Sequence, residues 1–542
     1  MLFSQIKTKP GEATSLVMPC KYVASPTIAF EQLANNSEHS LLLESAEIDS
    51  KDNLKSLMLI DAAVVFECFG HKVIATAKSE NGNAVIDYLY SIFNSDIYSI
   101  DSKEVQATRN EHTLELTFES ICLDTDERAR LKQLNAFEVL RAVIKNISHN
   151  EEDVFSVFLG GVFAYDMIAN FETLPSVPDG FNTCPDYSFY LAETMLVIDH
   201  QKKSTDLIGN VFSGDSVYQT CFAIGRRLED LKNSVNSIEH TEPTPTTYSD
   251  VNFDSAVPNI SDKNFKETVT NLKNNIIQGD VFQVVPSRGF TLDCSDAMSA
   301  YKQLKADNPS PYMFYLKHPS FELFGASPES ALKFEAESKN VEVYPIAGTR
   351  IRGFDNKGKI DKDLDSRIEL DLRNDKKEVS EHIMLVDLAR NDVARISKTG
   401  SRYVKDFLKV DRYSYVMHLV SRVIGELEDD LDALHAYQAC MNMGTLVGAP
   451  KIKAAELIRK VEQTRRGSYG GAVGYLNGRG DMDTCIVIRS AFVKDGKAFV
   501  QAGAGVVFDS DPESEVNETS NKARAVIKAV LNANRSVNEG EK

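Results

Sequence analysis

The chain has no tryptophan among its 542 residues, so any aromatic core must be built from its 28 Phe and 19 Tyr. Closely spaced cysteine pairs are missing too. The eight cysteines (Cys20, Cys68, Cys122, Cys184, Cys221, Cys294, Cys440 and Cys485) lie far apart, with no Cys-x-x-Cys and no zinc spacing. They read as buried, reduced thiols of a cytoplasmic protein. MLFSQIKTKPGEATS lacks the apolar centre of a signal peptide, and no unbroken apolar run approaches the ~20 residues of a membrane span. Positive charge is in deficit: 60 Lys and Arg stand against 79 Asp and Glu, a net charge of −19. That balance argues against nucleic-acid or anionic-membrane partners. An anionic substrate would then need a local cluster of positive groups or a metal ion.

What is present, 42% hydrophobic and 26% charged residues, is the composition of a globular protein. One shift stands out. HTEPTPTTYSDVNFDSAVPNISD, from His240 to Asp262, is rich in Thr, Pro, Ser and Asp, has no helical apolar period and reads as a surface linker. The expected division is therefore a first part over 1–240, a linker over 241–262 and a second part over 263–542. Strand-like runs (MLIDAAVVFECFG, TLELTF) and the helix VYQTCFAIGRRLEDLKNSV belong to the first part. The second opens with the helix NFKETVTNLKNNIIQGD, ended by Gly279, and continues with VFQVVPSRGFTL, YMFYLKH, ELFGASPESALKFE and VEVYPIAG joined by hairpin-length turns. Runs of strands kept apart from long helices predict an α+β body rather than a doubly wound sheet.

Four carboxylates recur at one spacing: Glu378 and Glu381 in KKEVSEHIMLVDLARND, Glu515 and Glu518 in DPESEVNETSNKA. On a helix, i and i+3 share a face, so two such pairs could hold one hard divalent cation through oxygen. A solvated helix face has the same pattern. Asp511 and Pro512 suit the N-cap and first turn of the second helix, and Lys522 shares a face with Glu515 and Glu518. PIAGTR offers Gly348 for close backbone approach and the Thr349 hydroxyl, or is merely a turn. His418 lies in strand-like alternation, where a core histidine is the commoner finding. GSYGGAVGY places Tyr469 among glycines, and Arg489 is read as lying inside an apolar strand, where it calls for an anionic partner. GTLVGAPK lacks the spacing and ending of a phosphate loop, and GRGD reads as a hairpin turn. The inventory suits a small di-acid held by Mg²⁺, Arg and backbone N–H groups; the substrate stays open on these grounds.

The ordered series GDVFQVVPSR, NPSPYMFYL, GASPES, PIAGTR, EHIMLVDLARND, MGTLVGAPK, GSYGGAVGY and QAGAGVV resembles the chorismate-utilising enzymes, most closely the large subunits of anthranilate synthases. LLLESAEIDSKDNLKSL and FLGGVFAYDM extend the resemblance through the first half. It implies a large two-part α+β fold, antiparallel sheets packed together with helices outside. It also implies that Gly348, Thr349, Tyr469, Arg489, Gly503, Ala504, Gly505 and Lys522 hold chorismate. Glu381 and Glu518 would bind Mg²⁺ directly, Glu378 and Glu515 through water. His418 becomes the acid/base, with Gln283 and Thr445 in the catalytic set. Gln283 stands where isochorismate-forming relatives carry a lysine base, and Ala347 stands where aminodeoxychorismate synthases carry a nucleophilic lysine. The implied reaction adds ammonia to chorismate and eliminates pyruvate to give anthranilate, the first committed step of tryptophan biosynthesis. Glu44, Ser45, Lys55, Pro311, Tyr312 and Met313 match the tryptophan feedback site. No glutaminase cysteine is found, so a separate amidotransferase subunit (component II) in a heterotetramer is expected, docked largely on the first half. The two rival readings are an aminodeoxychorismate synthase component and a non-catalytic tryptophan-binding module.

Overall fold

The computed structural model describes residues 6–45, 54–95, 105–122, 126–150, 152–238, 245, 248, 251–355, 358–413 and 416–540. The expected linker thus lies partly outside the described residues. Two long strands, Lys55–Phe69 and Tyr187–Asp199, pair antiparallel from Lys55 opposite Asp199 to Cys68 opposite Tyr187. The register shifts three times between Leu59 and Val64. Bulges bend and twist a strand pair, and here the pair passes from one sheet to another. Ahead of the bulges it carries Ser40–Glu44, then in order Tyr312–His318, Phe321–Ser327, Ser490–Lys494, Lys497–Gly503 and Ser287–Asp293. Ser204–Phe212 and Ala13–Cys20 extend the same sheet on its other side. Beyond the bulges it carries Lys72–Ala77 on one side, and on the other Phe158–Phe163, Ala472–Asn477, Met482–Ile486, Ser330–Glu335, Asn340–Val343 and Val416–Glu426. Ile346–Ile351 and Tyr403–Arg412 flank Val416–Glu426. Segments from both sides of the expected linker therefore pair in both sheets.

Period-2 alternation decides which face each side chain takes. In YMFYLKH, Phe314 and Leu316 join Leu41, Leu59, Phe158, Val162, Tyr190, Val473 and Phe492 in the core between the sheets. Met313 and Tyr315 face the other way, onto Phe30, Ile224, Leu228, Tyr301, Val526 and Val530 of the covering helices. The second sheet is covered by Glu80–Phe93, Phe137–Asn146 and Lys376–Ala394, through Ile86, Leu89, Leu140, Val386 and Val393. Each fully buried residue of this kind contributes about 1.5–3 kcal/mol over exposure. Val217–Ser237 shows why such helices dock: Val217, Cys221, Ile224, Leu228, Leu231 and Val235 form one buried stripe. This is the expected α+β arrangement, with helices outside two packed antiparallel sheets. The helix Asp262–Ile277 ends as predicted, with Gly279 at φ +85 just past it, and the GRGD turn joins Ala472–Asn477 to Met482–Ile486. No helix among the described residues is long and apolar enough to cross a membrane.

Candidate active site

His418 stands on Val416–Glu426, paired through Thr349 with the strand Ile346–Ile351. The register slips between Ala347 and Thr349, and Gly348 takes φ +76 at that bulge. A Cβ on Gly348 would lie 3.2 Å from Glu378 Oε2 and from the Leu372 and Leu419 side chains, so the position requires glycine both for its backbone and for space. The bulge turns the Thr349 hydroxyl to within 2.9 Å of His418 Nδ1. Burial, reinforced by the positive charge of Arg489, lowers the His418 imidazole to about 4, against a smaller opposing hydrogen bond to the Gly348 backbone.

Arg489 corrects the sequence reading. It lies not inside a strand but at the break between Met482–Ile486 and Ser490–Lys494, at φ +50. For a non-glycine residue that conformation costs about 1–3 kcal/mol and clusters at functional sites. Its carbonyl accepts the Ala326 N–H at 3.1 Å, and its guanidinium donates to the Lys522 carbonyl. Loss of water around it lowers its pKa, partly offset by Tyr469 and Glu518. Among the described residues it has no carboxylate within ion-pair distance, so its positive charge is available to a bound anion. Lys522 Nζ donates to the Gly503 carbonyl at 3.0 Å and pairs with Glu518 at 2.6 Å. The buried Tyr469 hydroxyl lies 3.1 Å from where a Gly503 Cβ would be, and burial pushes it up to about 12. Ala504 spends its N–H on the Pro286 carbonyl. A Cβ on Gly505 would meet Gln283 Nε2 at 2.8 Å and Glu381 Oε1 at 3.4 Å.

The four glutamates come from two capped helices. Asp375 accepts the Lys377 and Glu378 N–H groups at the start of Lys376–Ala394, and Asp511 accepts the Ser514 N–H ahead of Pro512–Gly540. Glu381 accepts from Gln283 Nε2 at 2.9 Å, and Glu378 pairs with Arg350 at 2.9 Å. Burial, then the charges of Glu378 and Glu518, raise the Glu381 pKa; burial and Glu518 raise that of Glu515. Among the described residues no three His, Cys, Asp or Glu converge as a ready-made metal cluster. Two of the four carboxylates are engaged by Arg350 and Lys522. Glu515 Oε2 is nevertheless buried without a hydrogen-bond partner, and hard carboxylate oxygens that repel one another suit a hard cation such as Mg²⁺.

Glu329 and Arg350 were present in the quoted motifs without a role. Glu329, in GASPES, accepts from Thr445 Oγ1 at 3.0 Å. Burial raises it to about 8, against the Thr445 hydrogen bond and the charge of Lys522. It therefore keeps its proton at neutral pH. No local pattern marks such a residue, because its burial comes from distant segments.

The six residues matched to a tryptophan site line one cavity of about 410 Å³ between the sheets, together with Val473, Gly474, Tyr475, Asp483 and Lys333. Ser45 Oγ donates to the Pro311 carbonyl at 2.9 Å. Glu44 follows strand alternation the other way: its carboxylate accepts from Tyr301 and pairs with Lys305 at 2.8 Å, under the helix Ala297–Asp307. Charge complementation inside the cavity is left to other residues.

The family described as chorismate binding enzyme matches residues 94–528. Anthranilate synthase component 1 of Vibrio cholerae is 54% identical over 528 residues, 97% of this chain and 98% of that protein. The Escherichia coli protein of the same name is 51% identical over 512 residues, 94% and 96% of the two chains. Among solved structures, anthranilate synthase component I from Streptococcus pneumoniae superposes with a TM-score of 0.64 at 28% identity, covering 94% of this chain and 99% of that one. The menaquinone-specific isochorismate synthase of Escherichia coli, at 16% identity and a TM-score of 0.65 over 96% and 95%, shares the fold.

Proposed function

The chain belongs to the chorismate-binding enzyme family, and from that premise we propose that it is a lyase of the anthranilate synthase type, converting chorismate and ammonia into anthranilate and pyruvate. The observation that carries this reading is the opposed protonation of two groups at one site. His418 is held neutral, ready to accept a proton, and Glu329 is held protonated, ready to give one. Ammonia adds at C2 of the ring as the C4 hydroxyl departs, and Glu329 supplies the proton that lets it leave as water. His418 then removes the C2 proton as the C3–O bond breaks, the side chain leaves as the enolate of pyruvate and takes up a proton to become pyruvate, and the ring becomes aromatic.

Arg489, Lys522 and Tyr469 border the space that would receive the di-acid, and Gly348 and Gly505 keep it open. Mg²⁺ on Glu381 and Glu518, with Glu378 and Glu515 behind water, would neutralise the substrate's carboxylates. Ala347, paired with Leu419, offers no amine to form a covalent adduct, and Gln283 offers no base for water. Both features support direct amination over the aminodeoxychorismate and isochorismate outcomes. The complete catalytic set speaks against a purely tryptophan-binding module.

Ammonia would come from glutamine through a second subunit, component II, since six of the eight thiols are buried. The cavity between the sheets supports feedback by L-tryptophan, with Ser45, Pro311 and Tyr312 as walls and Lys55 among the charged groups at the site; the Met313 side chain packs the other way, onto the covering helices. The test is fluorescence detection of anthranilate from chorismate, Mg²⁺ and ammonium salt, with and without tryptophan, and with the product identified by mass. Aminodeoxychorismate or isochorismate as the product would overturn the reading.

A further inference from the structure

We propose that Asn182 and Asp166, both from the first half of the chain, are positioning residues for Tyr469, gripping the backbone of the loop that presents its hydroxyl to the substrate site.

The segment from Pro175 to Asp186 runs alongside Thr464–Ser468. The Pro175 carbonyl accepts from Arg459 at 3.0 Å, and the Pro178 carbonyl accepts the Arg465 N–H at 2.9 Å. Asn182 then uses both ends of its amide on one residue: Oδ1 accepts the Ser468 N–H at 3.2 Å, and Nδ2 donates to Ser468 Oγ at 2.9 Å. One position earlier, Asp166 Oδ2 accepts the Gly467 N–H at 2.9 Å, and the Tyr165 N–H donates to the Gly467 carbonyl at 2.8 Å. Gly467 is at φ +61, and a Cβ there would lie 2.2 Å from Asn182 Oδ1. The approach of Asn182 is thus tight enough to exclude any other residue at 467.

Beyond Tyr469 the loop makes two hydrogen bonds within the second half before Ala472 pairs with Phe163 of the first half. The Gly470 N–H donates to the Val487 carbonyl and the Gly471 N–H to the Ser468 carbonyl, each at 2.9 Å. Tyr469 is therefore suspended between two anchors; at the upstream one Asp166, Tyr165 and Asn182 of the first half hold Gly467 and Ser468, beside Arg466, which the second half holds through Glu462 and the Leu446 and Val285 carbonyls. Both gripping side chains are buried, Asp166 at 2% and Asn182 at 4% exposure. Asp166 is itself locked by Arg459 at 2.8 Å. Neither reaches Arg489, His418 or the glutamates through a hydrogen bond, so any effect on turnover passes through the loop. Misplacing a substrate-contacting group by about 1 Å can cost on the order of 10²-fold.

This inference rests on the reading of Tyr469 as a chorismate contact. Steady-state anthranilate formation by the full chain, with ammonium salt as nitrogen source, tests it through a double-mutant cycle. Asn182→Ala is expected to raise KM for chorismate about tenfold or more with kcat changed far less, as for a lost ground-state contact. Asn182→Asp, which keeps the acceptor for the Ser468 N–H and can accept from the Ser468 hydroxyl where Nδ2 donated to it, is expected to stay within about threefold of the parent. In a Tyr469→Phe background, Asn182→Ala should add little, because both changes remove the same placed hydroxyl. An equal KM rise in both backgrounds, or an unmoved KM in Asn182→Ala, would overturn the proposal. So would a loss of kcat alone. Should circular dichroism show Asn182→Ala unfolded, Ser468→Ala replaces it in the cycle, with a smaller KM rise and the same non-additivity expected. A parent chain inert toward chorismate would overturn the functional reading itself, and this inference with it.

Discussion

The hydroxyl of Thr349 lies 2.9 Å from His418 Nδ1, which fixes the ring at that nitrogen. A hydroxyl can donate or accept there, so the contact is compatible with a neutral imidazole in either tautomer. The protonation state comes from burial and from Arg489, not from Thr349.

Measured at constant free ammonia, the rate should be bell-shaped in pH. His418 must be neutral to accept a proton, so activity falls as pH drops through about 4. Glu329 must be protonated to donate, so activity falls as pH rises through about 8. His418→Ala should slow turnover by about 10²–10⁴, the range for loss of a general acid or base. Glu329→Gln should lower the rate and abolish the alkaline limb; a limb unchanged in that variant excludes Glu329 as the acid. Stability supplies an independent sign. The folded-state pKa of Glu329 lies above its ordinary 4.5, so between the two values the unfolded chain binds fewer protons and stability falls with pH. In Glu329→Gln that contribution to the slope of Tm against pH should disappear.

Glu381→Gln and Glu518→Gln should each remove Mg²⁺-dependent activity while leaving the fold intact, because a neutral amide of the same size is a poor Mg²⁺ ligand. Titration calorimetry with Mg²⁺ alone gives the readout apart from turnover. Parent-like Mg²⁺ affinity in both variants would remove these residues from the metal site.

Ser45→Phe should relieve tryptophan inhibition while leaving uninhibited turnover nearly unchanged. The ring would project into the cavity of about 410 Å³ and displace the Ser45 hydrogen bond to Pro311. Coupling between separate sites is typically about 1–3 kcal/mol, so inhibition curves for parent and variant should be clearly displaced. Coincident curves from two folded proteins would move the regulatory site elsewhere.

The chain alone should make anthranilate with ammonium salt at high pH, where free ammonia is plentiful, and should make none from glutamine. Of its thiols, Cys68, Cys184, Cys294 and Cys440 are pushed up by burial and are poor nucleophiles. Glutamine-dependent product from a pure single-chain preparation would refute the two-subunit reading.

The sequence by itself determined whatever depends on neighbours a few positions apart. The glutamate pairs share helix faces because 3.6 residues make a turn, and Asp511 with Pro512 begins the helix that was read from them. YMFYLKH splits its side chains between two cores because strands alternate. Tertiary structure decided the rest. Which strands share a sheet depends on the bulged pair Lys55–Phe69 and Tyr187–Asp199, more than a hundred residues apart, and no local period encodes that register. The Glu329 carboxyl is raised because distant segments bury it, and Arg489 is held at a strand break by contacts to Ala326 and Lys522. Glu44 faces Lys305 rather than the cavity because of its parity in a strand whose inner face was settled only by packing. Desolvation and register arise from what comes to lie beside a residue, and a one-dimensional pattern holds only the neighbours it already has.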